Sequence, residues 1–216
     1  MKMYQVDAFT TELFKGNPAA VIVSEDWLDV ALMQNIAAEN NLAETAFVKI
    51  IDDENYEIRW FTPKVEVDFC GHATLASSFV LFKDYTRAKT LQFHVKNLGI
   101  FTITQASDGK IQMNFPVRMP HKVEDYPELL NEVIDRPIQA VYMNQQAYIL
   151  VCASETDVIE AKPNFAMINA IAEAYEVSTA ITASNALDIT LTAASEQYDY
   201  VARYFAPHKG INEDPV

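Results

Sequence analysis

Phe69-Cys70-Gly71-His72-Ala73-Thr74-Leu75-Ala76 is the stretch on which the fold turns. Upstream of it Val65, Val67 and Phe69 alternate as strand residues do, and downstream Ala73 to Phe82 is apolar. A Cys-Gly pair between the two predicts a tight turn into the first turn of a buried helix. A helix start leaves backbone N–H groups without partners, and they favour an anion placed there. A thiol (Cys70) and an imidazole (His72) beside such donors suggest a site for a small carboxylate substrate.

Outward from this stretch, the first half alternates strand-like and helix-like segments. Tyr4 to Phe9 and Ala19 to Val23 read as strands flanking a Phe14-Lys15-Gly16-Asn17-Pro18 turn. Asp29 to Asn40 carries Val30, Met33 and Ala37 at helical spacing. Ala46 to Ile51, Tyr56 to Phe61 and Lys64 to Phe69 read as strands, and Thr74 to Phe82 as an apolar helix. Thr90 to Val95, Gly99 to Gln105 and Lys110 to Phe115 are three further strands, the last two joined at Asp108-Gly109.

Two prolines and a charge cluster at Pro116 to Lys122 place a boundary, giving domains 1–117 and 118–216. The second half opens with a predicted helix from Pro127 to Ile134 and strands at Ile138 to Met143 and Ala147 to Cys152. A helix at Asn164 to Tyr175 follows, then strands at Thr179 to Thr182, Asp188 to Ala193 and Asp199 to Phe205. No repeat is visible at the level of identical residues.

Composition narrows the function. Half of the 216 residues are hydrophobic, enough for a sizeable core. No apolar run approaches the roughly 18 residues of a membrane span. The start, Met1 to Asp7, lacks the apolar stretch of a signal peptide and reads as a strand. Cys70 and Cys152 lie far apart, so a disulfide framework is not expected and a reducing cytoplasm is. The net charge of −14 repels nucleic acid. Histidines 72, 94, 121 and 208 form no H-x-x-x-H or other ligand spacing, and the five glycines form no phosphate-binding loop. Chemistry without a metal or cofactor is the expectation, on a small-molecule carboxylate, in a homodimer that binds neither membrane nor nucleic acid.

Several blocks together resemble the phenazine-biosynthesis isomerase (PhzF-like) family. They are Asp7-Ala8-Phe9-Thr10, Gly16-Asn17-Pro18-Ala19-Ala20-Val21, Met33-Gln34, Glu39 to Thr45, Arg59-Trp60-Phe61-Thr62-Pro63, Cys70-Gly71-His72-Ala73-Thr74, Arg203-Tyr204-Phe205-Ala206-Pro207 and Glu213-Asp214-Pro215-Val216. The resemblance implies an α+β, diaminopimelate-epimerase-like fold. In it two pseudo-symmetric domains each wrap a curved, mostly antiparallel sheet around a central helix, with Thr74 to Phe82 central to the first. PhzF-like chains continue past Glu-Asp-Pro-Val into a Thr-Gly-Ser-Ala-type turn and a second central helix. The sequence given ends at Val216, so the second domain is expected to be incomplete.

The resemblance also implies the site. Glu44, at the end of a loop after a helix, takes the place of the family's acid/base glutamate; an arbitrary glutamate there would be solvated. His72 takes the place of a site histidine, and the helix dipole favours its neutral form. Asp214 takes the place of a residue that orients a polar group. Gly71, Ala73, Thr74 and Asn17 are expected to contact substrate, with Gly16 and Pro18 shaping the turn beside Asn17. Cys70 is a thiol base in the related epimerases, which pair it with a second thiol, whereas Cys152 lies in an apolar strand and reads as structural. The leading expectation is a cofactor-independent isomerase. A cofactor-independent epimerase or racemase is the alternative enzyme, and a catalytically silent, metabolite-binding or scaffold relative is the non-enzyme.

Overall fold

Buried and half-buried side chains alternate through Asn55–Phe61 and Thr90–Val95, the period of a strand with one face on a core. A computed structural model describes residues 1–179 and 187–215 and divides the chain into two units, Met1–Pro116 and the residues from Val117 onward. Among the described residues no helix is long and apolar enough to cross a membrane.

The first unit runs β1 (Met3–Ala8), β2 (Asn17–Ser24), α1 (Val30–Asn40), β3 (Glu44–Ile50), β4 (Asn55–Phe61), β5 (Glu66–Val67), α2 (Gly71–Asp84), β6 (Thr90–Val95), β7 (Gly99–Gln105) and β8 (Ile111–Met113). The strands form one sheet in the order β1-β2-β3-β4-β6-β7-β8, with β5 also paired to β4. Neighbours are antiparallel except β2–β3 and β4–β6. α2 packs on β1, β2, β3 and β8. Side-chain parity decides which helix each strand residue meets. Val21, Ala46, Val48 and Trp60 join the core that contains Ala73, Ala76 and Val80 of α2. Their neighbours Ile22, Phe47 and Phe61 instead pack with Met33 and Ala37 of α1. Coverage on both faces explains why β2 reads as a continuous apolar run rather than an alternating one.

The second unit runs β9 (His121–Lys122), a 3-10 turn (Glu128–Glu132), β10 (Ile138–Met143), β11 (Ala147–Cys152), α3 (Glu155–Glu160), α4 (Phe165–Thr179), β12 (Asp188–Ala193), β13 (Val201–Ala206), a second 3-10 turn (Pro207–Lys209) and β14 (Ile211–Asp214). Its sheet order is β14-β13-β12-β11-β10-β9, with only β11–β12 parallel.

Three elements differ from the sequence expectation. The segment expected as a helix from Pro127 to Ile134 closes a single 3-10 turn, because the Val133 carbonyl accepts from the Asn164 N–H (2.8 Å) instead of continuing a helix. The strand expected over Lys64 to Phe69 shrinks to Glu66–Val67. Thr62 folds the preceding residues into a turn, its Oγ1 accepting from the N–H groups of Lys64 and Val65 at 3.2 and 3.0 Å. α3 was not expected: Ser154 caps it, its Oγ accepting from the Asp157 N–H at 3.1 Å. Of the strand expected at Thr179 to Thr182, Thr179 is the last residue of α4 and the rest lies outside the described residues.

The two units repeat each other. Both contain five strands paired antiparallel, parallel, antiparallel, antiparallel: β1 to β5 in the first, β10 to β14 in the second. Arg59-Trp60-Phe61-Thr62-Pro63 closes β4 and Arg203-Tyr204-Phe205-Ala206-Pro207 closes β13, a constant offset of 203 − 59 = 144 positions. Both arginines fork onto a glutamate of the next strand. Arg59 donates to Glu66 at 2.7 and 2.6 Å, and Arg203 to Glu213 at 2.6 and 2.8 Å. Each guanidinium also lies over the ring two residues on, Phe61 at 5.3 Å and Phe205 at 5.1 Å. Planar, bidentate pairing fixes orientation as well as distance. Arg203 further donates to the carbonyls of Val158 and Ala161, closing the C-terminus of α3.

The β1–β2 connection has almost no slack at Gly16. A Cβ there would lie 2.1 Å from the Ala8 carbonyl oxygen and 2.7 Å from Thr10 Cγ2. Gly16→Ala should therefore lower unfolding free energy by about 2–3 kcal/mol, the range of overpacking. Gly109→Ala, at φ +85° with open space around it, should cost only about 1 kcal/mol. Urea unfolding of the two variants checks the ranking.

Candidate active site

The described sequence candidates of the first unit gather where β3 begins and α2 begins. α1 ends on Asn41, whose left-handed φ of 50° turns the chain back. Three residues later Glu44 opens β3, in parallel register with Ala19 of β2, and is 6% exposed. Asn17, at the start of β2, is 1% exposed. The chain then enters α2 through Phe69, whose ring is held by Trp60, Phe101 and Phe115 with centroids 5.9, 5.6 and 4.8 Å away. That clamp fixes the Cys70-Gly71-His72 turn.

α2 is buried along most of its length, yet it contains Thr74, Ser77 and Ser78, each 0% exposed. Their hydroxyls are satisfied by the helix itself, donating to the carbonyls of Cys70 (2.6 Å), Ala73 (2.7 Å) and Thr74 (2.7 Å). The Thr74 hydroxyl proton is thus committed to Cys70. At the N-terminus the reverse holds. Cys70 is the N-cap residue but its side chain caps nothing, so helix geometry leaves the N–H groups of Gly71, His72 and Ala73 without intrahelical partners. A Cβ at Gly71 would meet nothing nearer than Phe69 Cζ at 4.0 Å. Packing does not demand the glycine, and its φ is not positive, so the expected tight glycine turn is instead an ordinary helix entry.

Three titratable groups meet here. Glu44 Oε2 lies 3.3 Å from His72 Nε2, and Cys70 Sγ lies 3.4 Å from His72 Nδ1. Burial pushes the His72 pKa down to about 4, so the imidazole is neutral at pH 7. The Glu44 contact is close but not aligned as a hydrogen bond to His72 Nε2. One donor atom from each of Glu44, Cys70 and His72 falls within 4.8 Å of the others. Glu44 lies beside Nε2 and Cys70 beside Nδ1 of the one ring.

Asp214 belongs to the second unit. It ends β14, is 8% exposed, and pairs in register with Tyr204 of β13. The other cysteine, Cys152, is buried in β11, and burial raises its pKa. Sequence reasoning passed over a further cluster. Asp188, 1% exposed, accepts from Lys209 Nζ at 2.7 Å and from the Tyr204 hydroxyl, and His208 Nε2 lies 3.3 Å from its other oxygen. Burial raises the Asp188 pKa, and Lys209 and Tyr204 offset that rise only in part. Burial and the two carboxylates Asp188 and Asp214 hold the Tyr204 phenol well above its ordinary range, hence neutral.

Residues 6–216 match the family model described as phenazine biosynthesis-like protein. An uncharacterized isomerase of Halalkalibacterium halodurans is 40% identical over 219 residues, covering 99% of this chain and 76% of that protein. The human phenazine biosynthesis-like domain-containing protein is 33% identical over 238 residues, covering 100% of this chain and 79% of its own. Among solved structures, a PhzF-family protein of Enterococcus faecalis matches with a TM-score of 0.80 at 38% identity, over 99% of this chain and 76% of that one. A probable proline racemase from Agrobacterium radiobacter, 7% identical, matches with a TM-score of 0.53 over 99% of this chain and 72% of its own, a likeness of fold alone. The two-sheet α+β architecture expected from the sequence is therefore shared across these proteins. With a family model matched over nearly its whole length and relatives above 30% identity along all of it, the chain belongs to the phenazine biosynthesis-like (PhzF) family.

Proposed function

We propose that the protein is a cofactor-independent isomerase that moves a proton on a small carboxylic acid. Glu44 is the acid/base that removes the proton and returns it elsewhere on the same substrate. Neutral His72 supplies a hydrogen bond to the developing negative charge rather than a positive charge of its own. The N–H groups of Gly71, His72 and Ala73 hold the substrate's anionic group, where preorganised dipoles act most strongly. Asn17 and Thr74 complete its contacts within the first unit. The observation that carries this reading is the 3.3 Å approach of two buried titratable groups, Glu44 and His72, beside the uncapped start of α2. Isomerase names among relatives at up to 40% identity point the same way.

The 3.4 Å contact of Cys70 with His72 favours a second reading, thiol-based epimerisation. An imidazole can activate a thiol. Two-thiol chemistry also needs an opposing thiol, and the candidate, Cys152, is buried in a strand with a raised pKa.

The two readings separate by mutation. General acid–base groups contribute about 10²–10⁴-fold, so Glu44→Gln should lower turnover to the upper end of that range while substrate still binds. Turnover in deuterated water should place deuterium at the new carbon–hydrogen bond, since a carboxyl proton exchanges with solvent. Near-normal turnover by Glu44→Gln would rule Glu44 out. Cys70→Ser should keep most of the activity, whereas a loss of a thousandfold, about 4 kcal/mol of barrier, would establish the thiol reading.

The depressed His72 pKa also fixes a pH dependence of stability. Its folded value of about 4 lies below the usual 6.5, so between these values the unfolded chain binds the extra proton. Stability from this group is complete above pH 6.5 and is lost as pH falls toward 4. A displacement of this size corresponds to about 3 kcal/mol. Denaturant unfolding at pH 7 and 4.5 should show the drop, and His72→Gln should flatten it; an unchanged slope would mean that His72 is protonated in the fold.

A further inference from the structure

The repeat between the units assigns a second carboxylate a role. In the first unit Thr45 pairs with Phe61, which sets Glu44 opposite Thr62, three residues after Arg59. In the second, Ile189 pairs with Phe205, which sets Asp188 opposite Ala206, three residues after Arg203. Both carboxylates are the first residue of the strand that runs parallel to its predecessor, and there they face Ala19 and Ala147 in register. The separation is 188 − 44 = 144, the same offset as the two arginines, 203 − 59 = 144. Asp188 is the positional counterpart of Glu44, and each has an imidazole Nε2 at 3.3 Å.

Its surroundings differ in one informative way. Oδ2 of Asp188 receives two hydrogen bonds, from Lys209 Nζ at 2.7 Å and from the Tyr204 hydroxyl. Tyr204 is itself held by Gln146 Nε2 (2.9 Å), and Gln146 by Arg118 (3.3 Å). Oδ1 is buried and receives no hydrogen bond among the described residues, His208 Nε2 standing near it but out of line. Leaving a charged acceptor half satisfied is expensive, and such a group calls for a donor. Lys209 Nζ stands beside Oδ2 and His208 Nε2 beside Oδ1, at 2.7 and 3.3 Å.

We propose that Asp188 is a binding carboxylate of the second unit whose Oδ1 accepts a hydrogen bond from a hydroxyl or ammonium group of a small carboxylic acid. It rests on the small-acid reading of the proposed function but not on Glu44 as its base. Lys209 and Tyr204 hold the carboxylate fixed through Oδ2, and Oδ1, which receives no hydrogen bond among the described residues, selects ligands that carry a donor. Its counterpart Glu44 shares the position in the first unit.

Succinate, malate and aspartate test this, because they share a four-carbon diacid skeleton and differ at one carbon in hydrogen, hydroxyl or ammonium. Affinities are read by NMR titration of the full chain, following the ring resonances of His208. The wild type should bind malate and aspartate at least about tenfold more tightly than succinate, the gain expected of a hydrogen bond to a charged group. In Asp188→Asn the amide oxygen must face Lys209 and Tyr204, which puts its NH₂ in the place of Oδ1, a donor where an acceptor stood. That variant should lose the ranking while keeping its succinate affinity, and Glu44→Gln should keep the ranking. Equal affinity of the wild type for the three acids, or absence of saturable binding by any of them, overturns the assignment even if Asp188→Asn fails to fold. A ranking kept in Asp188→Asn but lost in Glu44→Gln overturns it too. The proposed isomerase activity is judged separately, by the turnover and deuterium label of Glu44→Gln.

Discussion

Burial of α2 against its sheet is the constraint on which the first unit depends. A helix enclosed along its length can present no charged side chain to a core, so its polar residues must be short enough to bond their own backbone. Thr74, Ser77 and Ser78 do so. Such a helix cannot satisfy its own ends, and at the first turn the unpaired groups are N–H donors that point out of the helix by geometry alone. Cys70 leaves that end uncapped, and Gly71 leaves it bare. The sheet then brings a carboxylate to the same place, because β3 starts at Glu44 and pairs in parallel with β2, against which α2 packs. Core packing and chemistry are thus one arrangement seen from two sides.

The repeat shows which features of that arrangement are architectural. What recurs is the strand order, the register and the Arg–Glu fork, all of which fix backbone positions. Neither fork is deeply buried, since Glu66 and Glu213 keep side-chain exposures of 39% and 38%, so their contribution to stability is modest. Their value lies in orientation, because a planar fork onto the next strand holds the strand crossing at one angle. What changes between the units is the chemistry mounted on that frame. The Trp60 position becomes Tyr204, and the imidazole comes from the helix start in one unit and from the 3-10 turn after β13 in the other.

Much of this was legible in the sequence, for identifiable reasons. Thr90–Val95, Gly99–Gln105, Ile138–Met143, Ala147–Cys152 and Asp188–Ala193 agree residue for residue with the periodicity, since each has one face on a core and turn residues at its ends. The errors fall where local hydrogen bonds compete with the pattern: the Thr62 turn shortens β5, and the Ser154 cap starts α3. Glu44 and His72 were found through family motifs, and their contact could not have been read from spacing, because 28 positions (72 − 44) separate them. Asp188 was missed although its signal was present. Arg-Trp-Phe-Thr-Pro and Arg-Tyr-Phe-Ala-Pro differ at two positions, and sliding the chain by their offset sets Glu44 on Asp188. A search for identical residues discards that match, because the repeat survives in residue type and register.

The two carboxylates also differ in the company their charge keeps, and this separates their uses. A base must be able to gain a proton during the reaction, so a neighbour that stays neutral, as His72 does with its pKa near 4, leaves the proton's movement to the carboxylate. Asp188 is bonded to the Lys209 ammonium group at 2.7 Å, which fixes its orientation, while burial outweighs that neighbour and raises its pKa. Identical positions on a repeated frame therefore do not make a symmetric pair of bases. One unit sets its carboxylate beside a neutral ring at an uncapped helix start, and the other bonds its carboxylate to Lys209 and Tyr204.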